Sequence, residues 1–227
     1  MINVAMCGRY ALLPDRRQIA SMFDVAAEDL DEARYNIAPT QDIPIIRQDS
    51  LHNREMVRVR WGLIPHWAKD PRDLKASMIN ARAETVAAKP AYRAAFRQRR
   101  CLVPALGFYE WKKEGRSKQP YFVCRKDRQL LAFAGLWDRW SGNGDVIDSC
   151  TIITTEANDL VRTIHDRMPV ILSPEDFELW LESDVQDLAR LQALLMPYPA
   201  EELDAYPVAR TVGNPRAEGP ELVEPVH

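Results

Sequence analysis

Leu130-Leu131-Ala132-Phe133-Ala134-Gly135-Leu136-Trp137-Asp138-Arg139-Trp140, followed by Gly142-Asn143-Gly144-Asp145 and then Ser149-Cys150-Thr151-Ile152-Ile153-Thr154-Thr155, is the stretch that decides the fold. Two runs rich in apolar, aromatic and β-branched residues flank a segment whose Asn-Gly pair tolerates positive φ, which predicts a β-hairpin with a tight turn. Working outward, further strands are expected at Ile43 to Arg47, Met56 to Trp61, Cys101 to Trp111 and Tyr121 to Arg125. Met56 to Trp61 alternates apolar with basic residues, the period of a half-exposed strand. Helices are expected at Arg16 to Phe23, Ala91 to Arg99, Pro174 to Leu181 and Val185 to Leu195, with Ser173 as a cap before Pro174. Tyr35 to Thr40, restricted by Pro39, reads as an ordered loop. The fold class is α+β: a curled, mostly antiparallel, barrel-like sheet flanked by helices.

The 227 residues, 46% of them hydrophobic, suffice for one well-buried core, and a single domain over residues 7–227 is expected. No run approaches the length of a membrane span, and MINVAMCGRY lacks the basic region and apolar core of a signal peptide. A soluble, cytoplasmic monomer without membrane contact is expected. The cysteines at 7, 101, 124 and 150 form no CxxC pair and no metal-like cluster, so neither metal nor cofactor is expected. Cys101, Cys124 and Cys150 lie in apolar runs and read as buried core thiols.

Charge is unevenly placed. Between Arg54 and Arg128 there are 19 Lys and Arg against 7 Asp and Glu, whereas the whole chain carries a formal charge of −3. Phosphate neutralisation needs local rather than net positive charge, which makes this middle segment a candidate polyanion surface; the alternative is a solvated charged face.

Several polar residues suggest chemistry. In Met6-Cys7-Gly8-Arg9-Tyr10, a cysteine becomes the first residue if Met1 to Met6 is removed or if translation starts at Met6. A terminal cysteine carries two nucleophiles, an α-amine with a pKa of about 7.7–8.0 and a thiol near 8.5. Its amine condenses with an aldehyde to a Schiff base, and its thiol then closes a thiazolidine. In Gly107-Phe108-Tyr109-Glu110-Trp111 a carboxylate sits among aromatics. It is either a tunable acid in an apolar pocket or a strand-edge glutamate facing water. His165, before Asp166 and Arg167, suits proton shuttling or a capping role. Asn80, Arg82 and Glu84 share one face if extended, and Arg82 offers a fork for phosphate. Trp61 and Trp67 bracket a turn containing Gly62 and Pro65; Trp61 reads as core, Trp67 as core or as a platform for an unpaired base.

These motifs, with Tyr35-Asn36-Ile37-Ala38-Pro39, Asn80-Ala81-Arg82-Ala83-Glu84-Thr85 and His165-Asp166-Arg167-Met168-Pro169, resemble in sequence order those of the SOS response-associated peptidase family. The resemblance continues through Thr211-Val212-Gly213-Asn214 to Glu221-Leu222-Val223, and so implies an ordered C-terminal segment. It also implies action on abasic sites in single-stranded DNA, with Cys7 forming a thiazolidine crosslink to the sugar aldehyde and associated lyase chemistry. By that resemblance Asn80 positions the linked cysteine and sugar, Glu110 assists ring opening, and His165 moves protons during Schiff-base chemistry and reversal. Arg9, Asn36, Trp67, Arg82, Thr154 and Arg167 would hold flanking phosphates and bases. Where some members have a second aromatic after the tryptophan, this chain has Ala68. Residues 1–6 are then a misassigned start or a propeptide cut away by the protein itself. Two other readings stay open: a cysteine peptidase using Cys7, His165 and Glu110 or Asn80, and a non-covalent single-strand binder using the basic segment and Trp67.

Overall fold

Two β-sheets organise the computed structural model, which describes residues 7–13, 15–27, 32–73, 78–185 and 187–226. The first half of the chain forms β1 (Tyr10–Leu12), α1 (Arg16–Phe23), β2 (Arg34–Ile37), β3 (Asp42–Gln48), β4 (Arg54–Trp61), β5 (Asn80–Arg82), α2 (Arg93–Gln98) and β6 (Arg100–Ala105). Then follow β7 (Gly107–Glu114), β8 (Ser117–Arg125), β9 (Leu131–Gly142), β10 (Asp145–Glu156), α3 (Asp159–Arg162), β11 (Arg167–Pro169), α4 (Phe177–Leu181), α5 (Leu188–Ala193) and β12 (Leu203–Pro207). The expected leader at residues 1–6 lies outside the described residues.

The predicted hairpin is β9 with β10, in register from Gly142 opposite Asp145 to Gly135 opposite Ile152. Asn143 and Gly144 take φ values of 54° and 86°, the positive pair that a two-residue turn between right-twisted strands requires. The hairpin closes a ring: β10 pairs β4, β4 pairs β3, β3 pairs β6, and β6 returns to β9. Most pairings are antiparallel, but β10 runs parallel to both β4 and β5. Ile43, Ile45, Val59, Trp61, Leu102, Ala134, Leu136 and Ile152 fill the main core. Burial also claims Cys101, Cys124 and Cys150, as their apolar surroundings predict.

The second sheet has the order β12-β8-β7-β1-β2. Alternation along β7 puts Phe108 in the main core while Tyr109 packs with Phe122, Val208, Val212 and Leu222 on the other face. That outer face is covered by the C-terminal segment, whose 3₁₀ turns Arg210–Gly213 and Pro220–Val223 supply Val212 and Leu222. The Asn36 amide secures this cover, donating to the carbonyls of Val212 (3.2 Å), Asn214 (2.9 Å) and Ala217 (3.0 Å).

Three local expectations need correction. The run Cys101 to Trp111 is not one strand: β6 belongs to the ring and β7 to the second sheet, and the chain crosses at Leu106, whose N–H donates to Ala11 O at 2.7 Å. An uninterrupted apolar pattern concealed the crossing, because both halves are buried. Tyr35 to Ile37 lies in β2, an edge strand too short and too polar to announce itself, so only the Ala38–Thr40 end of the expected loop remains irregular. Ser173 precedes a 3₁₀ turn, Pro174–Asp176, but its side chain makes no capping hydrogen bond. α1 has its expected bounds, whereas α2, α4 and α5 are shorter than their patterns, and no helix among the described residues is long and apolar enough to cross a membrane.

Arg100 ties the helices to the ring. Its buried guanidinium donates to the carbonyls of Phe96 (2.7 Å), Arg97 (2.6 Å), Trp180 (2.6 Å) and Glu182, at the C-terminal ends of α2 and α4. Burial lowers its pKa to about 10.

Gly107 is the tightest backbone approach on the strand that carries Glu110. A Cβ there would lie 2.5 Å from both Phe122 Cζ and Val123 O. Gly107→Ala is therefore expected to destabilise the fold by about 1–3 kcal/mol. Thermal denaturation checks this, each kcal/mol corresponding to about 2–4 °C in Tm for a chain of this size.

Candidate active site

β1 and β7 pair with Tyr10 opposite Phe108, which brings the residues before β1 alongside those in the middle of β7. Cys7 is 4% exposed and Glu110 2%. A single carboxylate oxygen, Glu110 Oε1, accepts from the Cys7 backbone N–H at 2.8 Å and from its thiol at 3.0 Å. Glu110 thus faces a partner in the interior, and not water. Cys7 has φ 45°, uncommon for a residue with a side chain, and both hydrogen bonds help to hold it there.

Burial governs the electrostatics. It raises the Cys7 thiol well above its ordinary value, and the adjacent Glu110 charge raises it further, with Arg167 opposing. Burial likewise raises Glu110, opposed first by the charge of His165 and then by the hydrogen bonds from Cys7 and the Trp111 backbone. The site therefore keeps a protonated thiol beside a carboxyl group moved toward neutrality, within electrostatic reach of an imidazole and a guanidinium.

β10 gathers the second group of residues. Its C-terminal half pairs with β5 on one side, Ile152 opposite Asn80 and Thr154 opposite Arg82, and with β11 on the other, Thr154 opposite Pro169. Asn80, Arg82, Thr154 and Arg167 are consequently neighbours across three strands. The Asn80 carbonyl accepts the Tyr92 hydroxyl at 3.2 Å, and Arg82 is exposed. Arg167 forks onto Glu84 at 2.5 and 3.1 Å and donates to Thr154 O at 2.6 Å. Its backbone N–H lies 3.1 Å from His165 Nδ1, and the Asp166 carboxylate lies 3.0 Å from the same ring nitrogen, so the imidazole is held from two sides.

Not every expected site residue joins this group. Asn36, expected to touch DNA, is fully buried and its amide is engaged by the C-terminal segment and by Arg9 Nη1 at 2.8 Å. Arg9 also donates to Val212 O at 2.9 Å, so the two residues form a structural unit on the second sheet. Trp61 is core, its indole N–H on Ile79 O at 3.0 Å, whereas Trp67 is 54% exposed. Among the described residues no group of three His, Cys, Asp or Glu side chains is placed to hold a metal ion.

The profile of the SOS response associated peptidase family matches residues 6–215. The abasic site processing protein YoqW of Bacillus subtilis is 43% identical over 224 residues, covering 96% of this chain and 99% of that protein. YedK of Escherichia coli, also named an abasic site processing protein, is 33% identical, with 97% and 100% covered. A crystal structure of a protein from Bacteroides thetaiotaomicron superposes with a TM-score of 0.85 at 31% identity, covering 97% of this chain and 100% of that one. The chain belongs to the SOS response associated peptidase family.

In this family member two supports of the site went unread in the sequence. Glu84 was visible as one of three alternating polar residues, but its role as the bidentate partner of Arg167 depends on β5 and β11 flanking the same strand. Asp138, a buried carboxylate inside the apolar run of β9, accepts from the His66 N–H at 3.0 Å and its ring Nδ1 at 2.9 Å. It also pairs with Arg99 at 3.1 Å. With the Trp140 indole N–H on Ala68 O at 2.7 Å, it fixes the turn that carries Trp67. A carboxylate inside an apolar strand was the signal available.

The raised pKa of Glu110 means that the folded state holds a proton the unfolded state has released, over the pH interval between the two values. Stability must fall as pH rises through that interval. Glu110→Gln removes this cost, since its amide oxygen still accepts from Cys7. The Tm of the wild type is expected to drop relative to the variant as pH is raised from 4 toward neutrality, by about 2–4 °C per kcal/mol of cost. A gap independent of pH contradicts the assignment.

Proposed function

We propose that the chain is a single-domain abasic-site processing protein over residues 7–227 that crosslinks to single-stranded DNA through Cys7 as its first residue. The observation that carries this reading is the shared Glu110 oxygen, 2.8 Å from the Cys7 nitrogen and 3.0 Å from its sulfur. An abasic sugar must first open to its aldehyde, a proton transfer suited to a carboxyl group moved toward neutrality. The Cys7 amine then attacks the aldehyde carbon, and loss of water leaves a Schiff base. The thiol adds to that carbon, its proton passing to the nitrogen, and the thiazolidine closes. A buried thiol with a raised pKa suits this order, because the amine makes the first attack.

His165, held by Asp166 and the Arg167 backbone, serves proton transfers at the sugar during Schiff-base formation and reversal. Loss of a C2′ proton from the same Schiff base to His165 forms the new double bond as the C3′–O bond breaks, releasing the 3′ phosphate and giving the associated lyase activity. Asn80 positions the linked sugar. Arg82, exposed beside Thr154, meets phosphate, while Arg167 holds its charge close to Cys7 through Glu84 and Thr154. Trp67 stacks on a base; Arg9 and Asn36 support the second sheet and its C-terminal cover beneath the site. The same Glu110 geometry supports self-processing: the thiol attacks the Met6 carbonyl, the C–N bond breaks as Glu110 supplies the leaving amine with a proton, and water hydrolyses the thioester. A general cysteine peptidase is less well supported, since the thiol bonds to Glu110 and lacks a described hydrogen bond to His165.

Protein beginning at Cys7, verified by intact mass, is expected to form a denaturation-resistant adduct with an abasic single-stranded oligonucleotide. Cys7→Ala or selective acetylation of the α-amine abolishes it. Glu110→Gln slows it by about 10²-fold or more, the usual scale of general acid–base assistance. An undiminished adduct in Cys7→Ala excludes the mechanism, and salt-sensitive binding without any adduct returns the chain to a non-covalent binder.

A further inference from the structure

α2 buries Ala95 and Phe96 and turns Arg93 and Arg97 to solvent. Four residues apart on a helix, these two lie about 6 Å from one another on the same face. The neighbouring arginines are all engaged: Arg99 pairs with Asp138, and Arg100 binds four carbonyls. Arg93 and Arg97 are unpaired among the described residues. Two exposed guanidinium groups without carboxylates are therefore presented together.

They also line a groove. A hollow of about 370 Å³ bordered by His66, Trp67 and Arg93 adjoins one of about 400 Å³ along Arg93 and Arg97. That one adjoins a third, of about 350 Å³, which runs past Arg97 to Asp184. Both ends of the basic part are held rigidly. Trp67 stands on the turn fixed by Asp138 and Trp140, and the N-terminal end of α2 is tied to the candidate site by the Tyr92 hydroxyl on Asn80 O. An exposed indole on a fixed turn suits base stacking, and the paired arginines suit successive phosphates of one strand. The Asp184 carboxylate ends the cationic run.

We propose that the groove from Trp67 along Arg93 and Arg97 seats the single-stranded DNA that flanks the lesion. This rests on the function proposed above and extends its footprint to two further phosphate contacts on α2. Duplex DNA fits less well, because the groove offers one narrow row of charge beside a stacking surface that needs an unpaired base.

The test measures non-covalent binding by fluorescence anisotropy between 50 and 200 mM salt. The probe is a single-stranded oligonucleotide carrying a tetrahydrofuran abasic analogue, which has no aldehyde. Each phosphate contact to a single strand contributes about 0.7 to the slope of log K against log salt, so Arg93→Gln/Arg97→Gln should lower the slope by about 1.4 and weaken binding about 25-fold at 0.1 M. Arg93→Lys/Arg97→Lys, which keeps the charge, should retain the slope. Circular dichroism and Tm establish that the variants are folded. An unchanged slope in the folded Gln variant, or an equal loss with a fully duplex probe, overturns the groove. Adduct formation by the wild type on a true abasic strand is followed in parallel: its absence overturns the underlying function, whereas its presence with an unchanged slope overturns the groove alone.

Discussion

One carboxylate oxygen, shared between the backbone nitrogen and the sulfur of Cys7, is the constraint on which the site depends. Hydrogen bonds to a buried carboxyl group are stronger than those in water and costly to leave unmade, so Glu110 and Cys7 specify one another's position. That position is where the two sheets meet. Phe108, two residues before Glu110 on the same face of β7, belongs to the main core, so the carboxyl group enters the protein interior with the apolar side chains of its own strand. The cost of burying it is visible in its raised pKa, and a purely structural strand would place an apolar residue there.

β10 supplies the second constraint. It closes the ring with β9 and β4, and beyond the ring it is sandwiched between β5 and β11. β10 runs parallel to β4 and β5 in a sheet whose other pairings are antiparallel, and the pairing with β5 has a specific consequence: Asn80 and Arg82 lie level with Ile152 and Thr154. Asn80 and Arg82, both proposed to handle DNA, therefore stand on a strand and not on a loop. Arg167 is the link between the two constraints. Glu84 and Thr154 fix its guanidinium, its backbone N–H lies against the His165 ring, and its charge reaches the Cys7 thiol.

The sequence was most legible where one local rule acted alone. Asn143-Gly144 required positive φ and formed the turn; the apolar runs of β9 and β10 became the longest hairpin. It was least legible where two burial patterns ran together, as at Leu106, or where a short strand such as β2, β5, β11 or β12 owes its existence to a neighbour. The same division holds for the site. Glu110 was conspicuous because a carboxylate among aromatics conflicts with burial, and the conflict marked chemistry. Asn36 looked equally polar but is saturated by three carbonyls of the C-terminal segment, which no local pattern could reveal. The excess of Arg and Lys between Arg54 and Arg128 likewise gave no hint of which cations would be neutralised. Arg99, Arg100 and Arg125 are held by internal partners, whereas the side chains of Arg93 and Arg97, shortly before them in the chain, have none among the described residues.

A protonated, buried thiol is a poor nucleophile for peptide hydrolysis in trans, and no positive group close to Cys7 outweighs the burial that holds its pKa up. In the reaction proposed for a terminal cysteine the same feature is useful. If the thiol were a thiolate it would compete for the aldehyde and give a readily reversed hemithioacetal. In the proposed sequence the thiol, held protonated on Glu110, waits until the amine has formed the Schiff base, and then brings both the sulfur and the proton that ring closure requires. On that proposal, the carboxyl group that receives two donors from one residue sets the order of two bond-forming steps.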